Sequence, residues 1–148
     1  MAGSVIADIL QAASTSQLNI KNGVALTPPT ISDVNNVQIG TFCRAWVNFN
    51  GTGTVAIRGS FNVSSITDLA VGVYIVNMTN AMPSINYGVS ASVSGNAGDL
   101  FCLAVEVNRH ASAYNTAPTT TAFYLITQTT GQNNAYRDVD YVLASVFN

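Results

Sequence analysis

From about residue 40 onward, apolar and polar positions alternate with a period of two. Val55, Ile57, Gly59, Phe61 and Val63 alternate with Thr54, Ala56, Arg58, Ser60 and Asn62, and Ile85, Tyr87, Val89, Ala91 and Val93 alternate with Asn86, Gly88, Ser90, Ser92 and Ser94. Successive side chains of a strand point to opposite faces, so each run predicts a half-buried strand. Shorter runs of the same kind lie at 43–49, 71–78, 100–107, 122–128 and 141–147, separated by Gly, Asn, Asp and Pro clusters. Seven strands at this spacing predict an all-β unit over residues 41–148, an antiparallel β-sandwich or jelly roll.

Two runs are apolar on both faces. Phe101, Leu103, Val105 and Val107 oppose Leu100, Cys102 and Ala104, and Tyr141, Leu143 and Phe147 oppose Val142, Ala144 and Val146. One face of such a strand covers the core, and the other needs a second cover, for which a neighbouring subunit is the expected candidate. The first 40 residues read differently. Val5, Ile6, Ile9 and Leu10 suggest one or two helical turns, but the polar, turn-rich segments that follow are broken by Pro28 and Pro29. The expectation is an extended arm over 1–40 that docks on neighbouring subunits through Val5, Ile6, Ile9, Leu10, Leu18 and Ile20.

Composition sharpens this picture. The 148 residues suffice for one domain with a real core. Hydrophobic residues make up 48% of the chain and charged residues 8%, roughly a third of the usual share of about 25%. So little charge opposes association, and an obligate oligomer is expected. The net charge of −2 is spread without a Lys/Arg cluster, which argues against nucleic acid as a partner. No apolar run approaches a membrane span and the first residues lack a basic leader, so no membrane partner and synthesis in the cytoplasm are expected. Cys43 and Cys102 lack metal-site spacing and read as buried free thiols ahead of a disulfide.

The search for chemistry returns little. The chain has one histidine, His110, and one glutamate, Glu106, with no nucleophile motif beside them. Asp68, Asp99, Asp138 and Asp140 all sit where turns call for a carboxylate. The GTGT at 51–54 is flanked by strands and lacks the lysine and helix of a phosphate loop, so it predicts a hairpin turn. Asn50, Asn62 and Asn77 open N-x-S/T triplets, which carry weight only in a secretory pathway. Asn134, Asp138 and Asp140 lack the spaced carboxylates of a calcium loop. No enzymatic activity, metal or cofactor is expected.

The run WVNFNGTGTVAIRGSFNVSSITD, followed by YIVNMTNAMPSINYGVSAS, resembles the C-terminal module of bacteriophage tail-fibre and related virion surface proteins. The resemblance covers roughly residues 44–94, and DVDYVLASVFN and TSQLNIKNGV resemble the closing strand and the leader of that module. It departs at Leu69, Ala70, Val71 and Gly72, where the family has a polar turn, and at Met78, where the family has Phe. An apolar turn there suggests a covered corner. The resemblance implies a β-sandwich, usually a homotrimer, displayed on the virion and acting by binding. It leaves two roles open: a tail-fibre-like knob for host attachment, and a capsid decoration or cement protein clamped on the head shell by its arm. For the knob, the segments 108–118 and 129–140 would present Arg109, His110, Tyr114, Asn115, Asn133, Asn134, Tyr136 and Arg137 to a host cell-surface glycan, by ring stacking and amide and guanidinium hydrogen bonds. Arg58 is expected outward on its strand, paired with Asp68 or across a subunit boundary.

Overall fold

Ten strands form among the residues that the computed structural model describes, which are 30–32, 38–94, 103–107, 117–129 and 135–148. They are β1 (Thr30–Ser32), β2 (Gln38–Thr41), β3 (Cys43–Asn50), β4 (Ala56–Phe61), β5 (Val63–Ala70), β6 (Val73–Met78), β7 (Gly88–Ser94), β8 (Leu103–Val107), β9 (Ala122–Thr129) and β10 (Tyr141–Phe147). No helix occurs among the described residues. Two four-stranded sheets carry the fold, sheet I in the order β4-β3-β10-β7 and sheet II in the order β5-β6-β9-β8, and every described pairing within them is antiparallel. The short strands β1 and β2 form a separate antiparallel ladder.

The hydrophobic pattern explains which strands lie in the middle. In β3, Ala45, Val47 and Phe49 are buried, and in β10, Val142, Ala144 and Val146. From sheet II, Tyr74, Val76 and Met78 of β6 and Phe123 and Leu125 of β9 meet them in one cluster, so the two sheets share a core in a sandwich-like arrangement. Phe49 and Tyr74 meet edge to face across it, with ring centroids 5.1 Å apart. At one end the strands β6 and β9 are also buried on their second face, where Val73 pairs with Ile126 and both are sealed from solvent, while Ile75, Asn77, Ala122 and Tyr124 on that face are half-buried. The outward residues of β10 are not sealed: Tyr141, Leu143 and Phe147 are exposed although their strand is central.

The predicted strands at 43–49, 122–128 and 141–147 form as read, each within one residue. The run 54–63 does not form one strand. Asn62 adopts φ 55°, a left-handed conformation that asparagine tolerates better than other side-chain-bearing residues, and there the chain leaves sheet I and enters sheet II. Asn62 secures this corner by donating to the Arg44 carbonyl at 3.1 Å and accepting from the Asn80 N–H at 2.8 Å. Phe61 before it faces solvent and Val63 after it packs on the core, although strict alternation would place both on one face. The strand that follows, β5, mixes polar and apolar residues without a period of two and was not legible from periodicity.

Three further boundaries shift. Gly72, at φ 67°, delays β6 to Val73. Residues 85–87 precede β7, where Tyr87 turns its ring toward the β9 side of the core instead. The predicted strand at 100–107 is described from Leu103. The apolar turn at Leu69 and Val71, expected to be covered, is exposed. The strands β1 and β2 lie mainly within the predicted arm; its contact residues Val5, Ile6, Ile9, Leu10, Leu18 and Ile20 lie outside the described residues.

The turns Gly51 and Gly72 admit no side chain. A Cβ on Gly51 would lie 2.5 Å from the Tyr74 hydroxyl and 2.8 Å from the Val139 carbonyl, and one on Gly72 would overlap the Thr127 carbonyl and approach the Arg137 amide to 2.6 Å. Gly53 also has positive φ, 62°, but faces open space. Gly51→Ala and Gly72→Ala are therefore expected to destabilise the fold by about 2 kcal/mol or more. Gly53→Ala should cost only the roughly 1 kcal/mol of a left-handed backbone. Chemical denaturation of the three variants checks the order.

Candidate functional site

At the end of the sandwich where the GTGT hairpin turns, four segments converge on the Tyr74 hydroxyl. Tyr74 is fully buried on β6, and its oxygen lies 2.9 Å from Asp138 Oδ1 and 3.0 Å from the Gly51 carbonyl, so one O–H donates between two acceptors. The same Asp138 oxygen accepts the Gly72 N–H at 2.7 Å. The Gly51 N–H donates to the Val139 carbonyl at 2.9 Å, and Thr127 bonds Arg137 twice, through its carbonyl to the Arg137 N–H and through its hydroxyl to the Arg137 carbonyl. Residues 135–139 thus run as a strap from the end of β9 to the start of β10. Burial first, and the Asp138 carboxylate second, drive the Tyr74 phenol well above its usual range, so it keeps its proton. Each group here is committed to a main-chain partner, which suits fixing a corner and not moving a proton.

Beyond the strap, Asp140 forms an ion pair with Arg58 at 2.7 Å, and the Arg58 guanidinium also donates to the Asp140 carbonyl. The same guanidinium lies 4.0 Å from the centroid of the Tyr141 ring. The expected partner Asp68 is on β5 in the other sheet, paired in register with Tyr74. Arg58 is the extra residue of a bulge in β4, since Asn48 pairs with Gly59 and Phe49 with Ile57. The bulge turns Arg58 toward β10.

The outer face of sheet I holds the largest group of exposed rings among the described residues. Trp46 of β3 pairs with Phe61 of β4 on one side and Ser145 of β10 on the other, and Leu143 and Tyr141 continue the row along β10. On β7, Ser90, Ser92 and Ser94 stand beside Ser145, Leu143 and Tyr141. Gly59 matters here for its lack of a side chain: a Cβ would touch the Trp46 ring at 3.4 Å, so the indole lies along the β4 backbone.

Of the predicted ligand residues, Arg109, His110, Tyr114, Asn115, Asn133 and Asn134 lie outside the described residues. Tyr136 is exposed and bridges to Gln128 in antiparallel fashion, and Arg137 belongs to the strap through its backbone. The described anchors of the two loops stand at opposite ends of the β8–β9 ladder. Val107, before the first loop, is opposite Leu125, and Thr129, before the second, is opposite Leu103. No group of three or more His, Cys, Asp or Glu that could hold a metal occurs among the described residues. Cys43 is a free, half-buried thiol, and Cys102 lies outside the described residues. Sequence reasoning found the β10 part of this group, Tyr141, Leu143 and Phe147, and missed Trp46 and Phe61, which fall in strands read only for their core side.

Removing the Tyr74 hydroxyl (Tyr74→Phe) is expected to cost about 1–2 kcal/mol, and Asp138→Ala, which orphans the Gly72 N–H as well, about 2–3 kcal/mol, measured by denaturant titration. Tyr87 donates to the Thr119 and Ala122 carbonyls at 2.8 and 3.0 Å, and burial pushes its phenol from 10.0 up to about 12. A raised phenol means the folded chain keeps a proton that the unfolded chain has lost. The associated stability is whole below pH 10 and declines as pH climbs from there through about 12. Tyr87→Phe should make the alkaline decline shallower, read from denaturation midpoints across that window.

No family model, curated protein or solved structure matches the chain.

Proposed function

We propose that the chain is a non-enzymatic bacteriophage virion protein, a tail-fibre-like β-sandwich module that assembles as a trimer on the particle surface and binds host cell-surface glycan. The observation that carries this reading is the outward face of β10, a central strand that leaves Tyr141, Leu143 and Phe147 in water. A central strand with apolar residues on both faces suits a subunit whose second face is covered by its neighbours. The resemblance of residues 44–94 to the fibre module supports the same conclusion, because that segment supplies β4 to β7 and most of β3. With no nucleic-acid or membrane partner, the partners are sister subunits, other virion proteins and a glycan. Tyr136, exposed beside Arg137, is the described side chain best placed to stack on a sugar ring.

Two measurements test this. Quantitative mass spectrometry of purified particles should find the chain at low copy number, in multiples of three, on the tail; a copy number matching the shell subunits would replace the knob with a head decoration protein. Tyr136→Ala should lower adsorption to host cells about tenfold, the loss of roughly 1.4 kcal/mol of stacking, without changing thermal stability. Unchanged adsorption would remove Tyr136 from the glycan contact.

A further inference from the structure

We infer that the outer face of sheet I is the surface through which copies of this chain meet, with Trp46 and Phe61 at its centre, an assignment that rests on the oligomer proposed above and names its contact. Trp46, Phe61, Tyr141 and Phe147 are 43%, 55%, 42% and 36% exposed. At 150–250 Å² for each aromatic side chain, these fractions leave roughly 350 Å² of ring surface in water. That already equals the largest apolar patch of many soluble monomers, before Leu143 is included. Four strands about 4.8 Å apart and seven residues long, at about 3.3 Å each, present roughly 450 Å² in projection. Protruding rings and the exposed β4 edge raise the accessible area toward the ~800 Å² that each side of a standard interface buries.

Charge selects the occupant. Arg58 and Asp140 neutralise each other at 2.7 Å, and the serines of β7 and β10 and Asn48 carry no charge. Arg44, at one end of β3, is the remaining charged side chain of the face. An acidic or basic partner finds almost nothing to complement, whereas neighbouring copies can bring this face together around a shared axis without the repulsion that like-charged surfaces impose. The β7 row of Ser90, Ser92 and Ser94 is low and flat beside the taller rings of β3, β4 and β10, so a neighbouring copy has both ridge and shelf to pack against.

Trp46 is the only tryptophan in the chain, so its fluorescence reports directly on this face. At concentrations where sedimentation shows the oligomer, emission should be blue-shifted and shielded from acrylamide, and it should move red in step with dissociation on dilution. Phe61→Asp should give a folded monomer with exposed Trp46 emission, and Val71→Asp, on the exposed β5–β6 turn of the other sheet, should keep the wild-type mass. An oligomer whose Trp46 is equally quenchable before and after dissociation, or a Phe61→Asp protein that stays assembled, overturns the assignment and leaves the oligomer standing. A wild-type chain that is monomeric at every concentration overturns both. Should Phe61→Asp fail to fold, the dilution series on the wild-type protein decides alone.

Discussion

The buried hydroxyl of Tyr74 is the constraint on which the end of the sandwich depends. Two sheets that share only apolar side chains have no preferred rotation or offset beyond what packing supplies, because the hydrophobic effect has no direction. Hydrogen bonds do have direction. Tyr74, on sheet II, reaches the Gly51 carbonyl in the hairpin of sheet I and the Asp138 carboxylate in the strap between β9 and β10. Through the same carboxylate the β5–β6 turn is tied in at Gly72. Burying the phenol beside a half-buried aspartate is tolerable because each has partners; remove one, and the others lose theirs where water reaches them poorly.

That corner also sets the outer face. The strap delivers Asp140 to the start of β10, where it holds Arg58 over Tyr141. Arg58 is available because the bulge at Asn48 turns it out of the β4 alternation. Arg58 thus belongs to a contact that reaches from β4 across β3 to Asp140 and Tyr141 at the start of β10. Arg58 and Asp140 flank the exposed rings without adding net charge to them.

The central strands were legible in the sequence because burial on one or both faces imprints a pattern on consecutive residues, as in the runs 43–49, 122–128 and 141–147. The edge strands were less so. β5, from Val63 to Ala70, alternates poorly because little of it faces the core, and its pairing to β6 is irregular at two places. The sheet change at Asn62 is invisible to a period-two reading, since one left-handed residue re-aims everything after it without altering the polarity pattern. The Tyr74–Asp138 contact joins residues 64 apart, and nothing local to either marks the other. As for the candidate ligand residues, Tyr136 and Arg137 were found in a polar loop, but the backbone role of Arg137 beside β9 depends on tertiary contacts that composition does not encode.

The irregular edges bear on a hazard that the composition creates. A chain rich in Ser, Thr, Asn and Val, with few charges, lacks the lysines by which many β-proteins keep exposed strand edges from recruiting further strands. In β4 the extra residue at Arg58, and in β5 the breaks between Val63 and Ser65 and between Asp68 and Ala70, disrupt the even ladder that an incoming strand needs. Geometry takes the place of charge as the guard. At β4 and β5, then, irregular pairing does what charged side chains do elsewhere, and the open edge of each sheet offers an incoming strand no even ladder to extend.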